Sequence, residues 1–237
     1  MSVEFIVFFA ILSFLTSLLT SIFSLGGGLI MLVALAQSFS PATLIPLHGS
    51  IQLANNFSRT LVYLEFFQWK LIKNILISTM FGAVIGIYLF GTLPENLLVM
   101  VIAATILFLT WAPLDSLIFS VMKNDWFCGF ISGFAGIFVG ANGPLVTAYL
   151  RTKNLSPEVL VANHGAIMIF QHGIKIILFA SFFNFMILDY FIFILILALT
   201  GYAGAILGRR LISKVPFKSF NIILKVFLTL LAFSLFF

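Results

Sequence analysis

Charge is what this chain has least of. Lys, Arg, Asp and Glu together make up 8% of its 237 residues, where a soluble domain carries about a quarter of its residues in those four types. None of the seven acidic residues lies deep in an apolar run, so the apolar phase holds no carboxylate to act as acid, base or metal ligand. Cys128 is the single cysteine, which excludes an internal disulfide and a paired-thiolate metal site. The H-E-x-x-H pattern of zinc hydrolases is missing, as is the G-x-x-x-x-G-K-[ST] pattern of nucleotide-binding loops. An enzyme, a cofactor and ATP coupling within this chain are therefore not expected. The apolar stretches also lack period-two alternation, which argues against a membrane β-barrel.

What the chain has is hydrocarbon. With 62% hydrophobic residues, thirty phenylalanines and a mean hydropathy of +1.22, it reads as an all-α polytopic membrane protein. Backbone groups in a bilayer must pair internally, and continuous apolar runs do so as helices. The net charge of +5 does not point to nucleic acid. The cations fall between apolar runs, as positive-inside loops require. The N-terminal stretch lacks a basic n-region and an A-x-A-like site, so it reads as a mature membrane segment and not as a cleaved signal.

Two breaks interrupt the apolar runs, SLGGGL at 24 to 29 and GANGPL at 140 to 145, each followed by a segment too short to span. They align two halves, 1–120 and 121–237. An offset of 116 carries Gly27 onto Gly143, Ser40-Pro41 onto Ser156-Pro157 and His48-Gly49 onto His164-Gly165. An offset of 122 carries Gly82 onto Gly204, Gly86 onto Gly208 and Pro94 onto Pro216. The pattern is that of an internal duplication. Each Ser-Pro pair reads as a helix start, with the serine hydroxyl capping a free N–H and the proline in the first turn.

Charge discriminates between two topologies. If both broken segments cross the membrane, the halves are parallel and nine loop cations divide three against six. If each broken segment enters and returns, three crossing helices remain per half, the halves are inverted, and Lys70, Lys73, Lys123, Arg151, Lys153, Arg209, Arg210, Lys214 and Lys218 share one face. The second arrangement satisfies the positive-inside rule. It places both termini outside the cytoplasm.

Three consecutive glycines cost a continuous helix roughly 3 kcal/mol relative to alanine, so Gly26, Gly27 and Gly28 predict a discontinuity. A short helix beginning near Leu29 points its free N–H groups and positive dipole end at that break. Asn142, Gly143 and Pro144 repeat the arrangement. Two helix N-termini meeting near the midplane would hold an anionic group. The bland alternative is that the glycines serve only close packing.

The following helix carries His48, Gln52, Asn55, Asn56 and Arg59 on one face, and its repeat carries His164, Met168, Gln171, His172 and Lys175 at the matching positions. Such residues are costly in lipid and face an interior cavity. Arg59 lies near its helix end and is equally able to snorkel. Lys225 has no counterpart in the repeat and reads as snorkelling or packing. Buried cations without carboxylates take an anionic ligand as counter-charge. The histidines are suited to proton transfer or to neutral hydrogen bonding.

In its glycine breaks, Ser24-Leu25-Gly26-Gly27-Gly28 and Gly140-Ala141-Asn142-Gly143-Pro144, and in its two-half organisation over essentially the whole chain, the sequence resembles the sulfite exporter TauE/SafE family, also called the toluene sulfonate uptake permeases. It departs from the family's glycine-then-proline pattern. Val33 stands where the first proline is expected, and Pro144 follows its glycine directly. The resemblance implies transport of sulfur-containing anions, sulfite or sulfonates, across the bacterial inner membrane. The residues alone imply an anion transporter, which we read as a secondary transporter driven by protons or another coupling ion. An anion channel and a membrane assembly factor are the alternatives.

Overall fold

The computed structural model describes residues 1–23, 26–112, 124–140, 142–211 and 229. Among these it is helical and without strands. Nine α-helices are described: α1 (Val3–Phe23), α2 (Gly27–Ala36), α3 (Pro41–Val62), α4 (Trp69–Phe90), α5 (Glu95–Trp111), α6 (Asp125–Val139), α7 (Gly143–Arg151), α8 (Pro157–Phe183) and α9 (Phe191–Leu211). Ser24, Leu25, Lys123, Ala141, Lys214, Pro216, Lys218 and Lys225, all used in the sequence argument, lie outside the described residues.

Four stretches are long and apolar enough to cross a membrane: Val3–Phe23, Trp69–Phe90, Pro157–Phe183 and Ile187–Leu211. The 22 residues of α3 span about 33 Å, but its polar stripe lowers its hydropathy. Both Ser-Pro helix starts appear, with Ser40 and Ser156 in the same extended conformation. Only Ser156 caps as expected, its hydroxyl accepting from Val159 N at 3.4 Å. Ser40 makes no side-chain cap bond.

The breaks form where glycine permits them, though differently in the two segments. Gly26, before α2, has φ of 94°, and Gly140, ending α6, has φ of 75°. Both lie in the region that side chains rarely adopt. The helix after the first break starts at Gly27, two residues earlier than Leu29.

Each broken segment is a hairpin that returns to its starting end. The rings of Phe5 and Phe39 meet at 6.2 Å, joining the start of α1 to the end of α2. Tyr149 Oη donates to Asp125 at 2.6 Å and Lys153 pairs with Asp125 at 3.1 Å, joining the start of α6 to the end of α7. In the first hairpin α1 is itself a full 21-residue helix.

Packing obeys the offsets found in the sequence. A Cβ on Gly82 would strike the carbonyl of Phe130, and one on Gly204 the carbonyl of Phe14. Gly86 abuts Ile137 and Gly208 abuts Ser21 in the same reciprocal way. Thus α1 lies along α9 and α6 along α4, each pair parallel with backbones in close approach, as small residues allow. At the centre Gly49 of α3 meets Lys175 and Ile176 of α8, while Gly165 of α8 meets Asn56 and Thr60 of α3. The early part of each helix meets the late part of the other, so α3 and α8 run antiparallel.

The helix ends sort into two groups. At one end, Arg209 binds the Val62 carbonyl and Glu65, and Gln68 N donates to Asn163 at 2.9 Å. Lys70, Lys73, Arg151, Lys153, Arg209 and Arg210 all belong to this end. The other end is closed by aromatic contacts among Phe5, Phe39, Tyr190 and Phe193, and among Phe90, Phe179 and Phe183. Its charged side chains among the described residues are Glu4, Glu95 and Asp189.

Candidate functional site

The antiparallel crossing of α3 and α8 brings the two polar stripes together beneath the breaks. Between them lies a cavity of about 30 Å³, room for two or three water-sized groups where one needs roughly 10–15 Å³. Its wall comes from both halves. Gly26, Gly28, His48, Gln52, Asn56 and Arg59 supply one side, and Gly143, Pro144, His164 and His172 the other, with Thr20, Leu29 and Met168 completing it.

Arg59 does not snorkel. It is 2% exposed, its Nη2 donates to Asn56 Oδ1, and its Nε has no hydrogen-bond partner. His164, 4% exposed, has no partner for either ring nitrogen. It stands against the start of α7, 3.3 Å from where a Cβ on Gly143 would lie. His48 Nε2 faces the Gly28 carbonyl at 2.9 Å, so that nitrogen carries its proton and Nδ1 is left as an acceptor. Among the described residues no carboxylate pairs with Arg59, and the ion pairs found, Lys153–Asp125 and Arg209–Glu65, lie at the cation-bearing end. An uncompensated buried charge costs several kcal/mol, and a buried donor without an acceptor about 1–3 kcal/mol. The site therefore presents the Arg59 Nε and the His164 ring without hydrogen-bond partners, and a positive charge that no carboxylate among the described residues offsets.

Five of the residues singled out from sequence stand outside the cavity wall. Gly27 faces α1, where a Cβ would strike the Thr16 carbonyl and Thr20 Oγ1, so its missing side chain serves packing. Asn55 Nδ2 donates to Ser13 Oγ at 3.1 Å, and its side chain fills the space beside Gly201. Gln171, the counterpart of Asn55, donates to Ser132 Oγ at 2.8 Å and Thr79 Oγ1 at 3.1 Å, and accepts from Asn142. Asn142 also donates to the Ser132 carbonyl at 2.7 Å. Lys175 donates to the Gly140 carbonyl at 2.8 Å and sits behind His172. Gln171, Asn142 and Lys175 hold the second break against α4, α6 and α8.

The helix N-termini are unequal. The first residues of α2 offer N–H groups that no intrahelical carbonyl can receive. In α7, Pro144 has no N–H and Leu145 N already donates to the Asn142 carbonyl at 3.1 Å. Sequence reasoning missed Thr20. It belongs to a buried stripe on α1, Ser13, Thr16, Ser17, Thr20 and Ser21, whose i, i+3, i+4, i+7, i+8 spacing was visible in the sequence.

The family model for the sulfite exporter TauE/SafE matches residues 9–235. No curated protein and no solved structure matches the chain.

Proposed function

The chain belongs to the sulfite exporter TauE/SafE family, and from that premise we propose that it is a secondary transporter moving a small sulfur-containing anion, sulfite, a sulfonate or a relative, across the bacterial inner membrane. The observation that carries this reading is the unpartnered Arg59 Nε beside the unpartnered His164 ring in a cavity walled by both halves. The anion accepts from Arg59, His164 and the N-terminus of α2, and its charge offsets the buried guanidinium. Hydrogen bonds to charged groups are the strong ones, about 1.5–3 kcal/mol each. The start of α7 contributes its dipole more than its N–H groups.

In this reading the halves 1–120 and 121–237 are inverted repeats. Support comes from the antiparallel α3 and α8, from the reciprocal glycine contacts, and from the gathering of the described loop cations at one end. That end faces the cytoplasm. Alternating access then opens the two ends in turn. The cytoplasmic end is held in part by exposed ion pairs, each worth under about 1 kcal/mol, and the other by aromatic rings.

The test is anion exchange by the purified protein in proteoliposomes, with sulfite, thiosulfate, methanesulfonate and acetate as the panel. Saturable counterflow of sulfur anions, and a raised melting temperature in their presence, is the expected result. Unitary currents in place of saturable exchange would make the protein a channel. Indifference to every anion would overturn the proposal.

A further inference from the structure

Lys175 places a second buried cation behind the cavity wall. It is 1% exposed, and its Nζ lies 2.8 Å from the Gly140 carbonyl and 3.3 Å from His172 Nδ1. While Lys175 is an ammonium it only donates, so Nδ1 accepts and the ring proton of His172 is on Nε2. His172 lines the cavity and Lys175 does not. The His172 ring stands edge-on to His48 at 6.0 Å, and His48 in turn binds the Gly28 carbonyl. Lys175, His172 and His48 thus form one file from the second break to the first. Arg59, at the position matching Lys175, carries a group that keeps its proton, whereas a lysine amine can release one.

Resting on the anion-transport reading, we propose that Lys175 and His172 form a proton-loading site that couples anion movement to proton movement. In the transfer the Lys175 ammonium gives a proton to His172 Nδ1 while His172 Nε2 releases its own proton to an acceptor in the cavity. The amine and the imidazole are then both neutral, one proton has moved from Nζ to the cavity, and no other bond has changed. Loading runs the same steps in reverse.

Coulomb repulsion gives the coupling its sign. The charged and titratable groups facing His172 are Lys175 and His164 from α8 and His48 and Arg59 from α3. The charged residues of α4, α6, α7 and α9, namely Lys70, Lys73, Asp125, Arg151, Arg209 and Arg210, belong to the cation-bearing end. Arg59 therefore opposes positive charge on the Lys175–His172 pair at its cavity-facing member, His172, and an anion beside Arg59 offsets that opposition. Each ligand favours the other by the same factor, so proton and anion travel in the same direction.

The experiment uses proteoliposomes with a trapped pH dye and labelled thiosulfate or methanesulfonate, neither of which titrates near neutrality. A gradient of one pH unit, acid outside, is expected to drive about tenfold accumulation by the parent for one proton per anion, with protons entering alongside. Lys175→Met and Lys175→Arg are both expected to exchange labelled anion without a gradient, which shows that they fold, and both to lose gradient-driven accumulation and proton entry. Driven accumulation retained by Lys175→Arg would mean that charge and not the proton matters, and would overturn the site. Loss of gradient-free exchange in either variant, at parental melting temperature, would make Lys175 an anion-binding group and overturn it too. Parental exchange without proton entry overturns the proton site alone. No exchange of any anion by the parent overturns the transport reading, and the proton site with it.

Discussion

Arg59 and Lys175 stand 116 residues apart at matching places on α3 and α8, yet only Arg59 reaches the cavity, while Lys175 is drawn back to the Gly140 carbonyl 2.8 Å away. The matching positions thus hold one cation at the cavity wall and one behind it. Equal substitutions at the two places should therefore have unequal consequences for anion binding.

Arg59→Met deletes the guanidinium and keeps an apolar stem. The expected outcome is a rise in the anion dissociation constant of about tenfold or more, since a charged hydrogen bond contributes about 1.5–3 kcal/mol and each decade is about 1.4 kcal/mol. Titration of the purified protein by thermal shift or calorimetry reads it. Parental affinity in the variant would remove Arg59 from the site.

Adjacent glycines should separate packing from function. A Cβ on Gly27 strikes the backbone of α1, whereas one on Gly28 meets only the Gln52 side chain at 3.9 Å. Gly27→Ala is expected to lower the melting temperature, at a cost of about 1–3 kcal/mol for overpacking. Gly28→Ala is expected to leave stability near parental and to weaken anion binding by narrowing the cavity. The reverse pattern would contradict the arrangement.

The reciprocal glycines offer a matched pair. Gly82→Ala and Gly204→Ala place a methyl against the carbonyls of Phe130 and Phe14, and both are expected to destabilise by comparable amounts, about 1–3 kcal/mol or more. Denaturation in detergent compares them directly. A neutral result at either position would show that its helix pair is not in close backbone contact.

Topology is testable by cysteine labelling, with buried Cys128 giving little background. Cysteines replacing Ser2 and Lys70 are expected to react from opposite sides, Ser2→Cys from the periplasm and Lys70→Cys from the cytoplasm. Reaction of both from one side would exclude the hairpin form of the first segment.

Breaking the Gln171 network should be costly without touching the cavity wall. Gln171→Leu removes one bond each from Asn142, Ser132 and Thr79, which keep their bonds to the Ser132 and Gly129 carbonyls, at a net cost of about 1 kcal/mol per bond lost. A parental melting temperature would mean that the second break is held by other contacts.

Helical class, the two breaks, the Ser-Pro starts and the polar stripes were all legible in the sequence. Each depends on residues within a few turns of one another: apolar runs demand internal hydrogen bonding, adjacent glycines release a helix, and polar residues at i, i+4, i+7 share a face. The loop cations likewise forecast the end at which Lys70, Arg151 and Arg209 gather, because the positive-inside rule acts on charge between spans. Tertiary structure alone decided the rest. Nothing in the spacing of Gly26, Gly27 and Gly28 tells which of them faces α1 and which the cavity, because that direction is set by where α1 packs on α9. Asn55 and Gln171 sit on the same stripes as Arg59 and His164, but they are taken up by Ser13 on α1 and by Thr79 and Ser132 on α4 and α6. The withdrawal of Lys175 needs a carbonyl freed by the positive φ of Gly140, 35 residues earlier in the chain. Contacts between distant segments choose among faces that local periodicity leaves equivalent, and they decide which polar groups remain unpartnered for an anion.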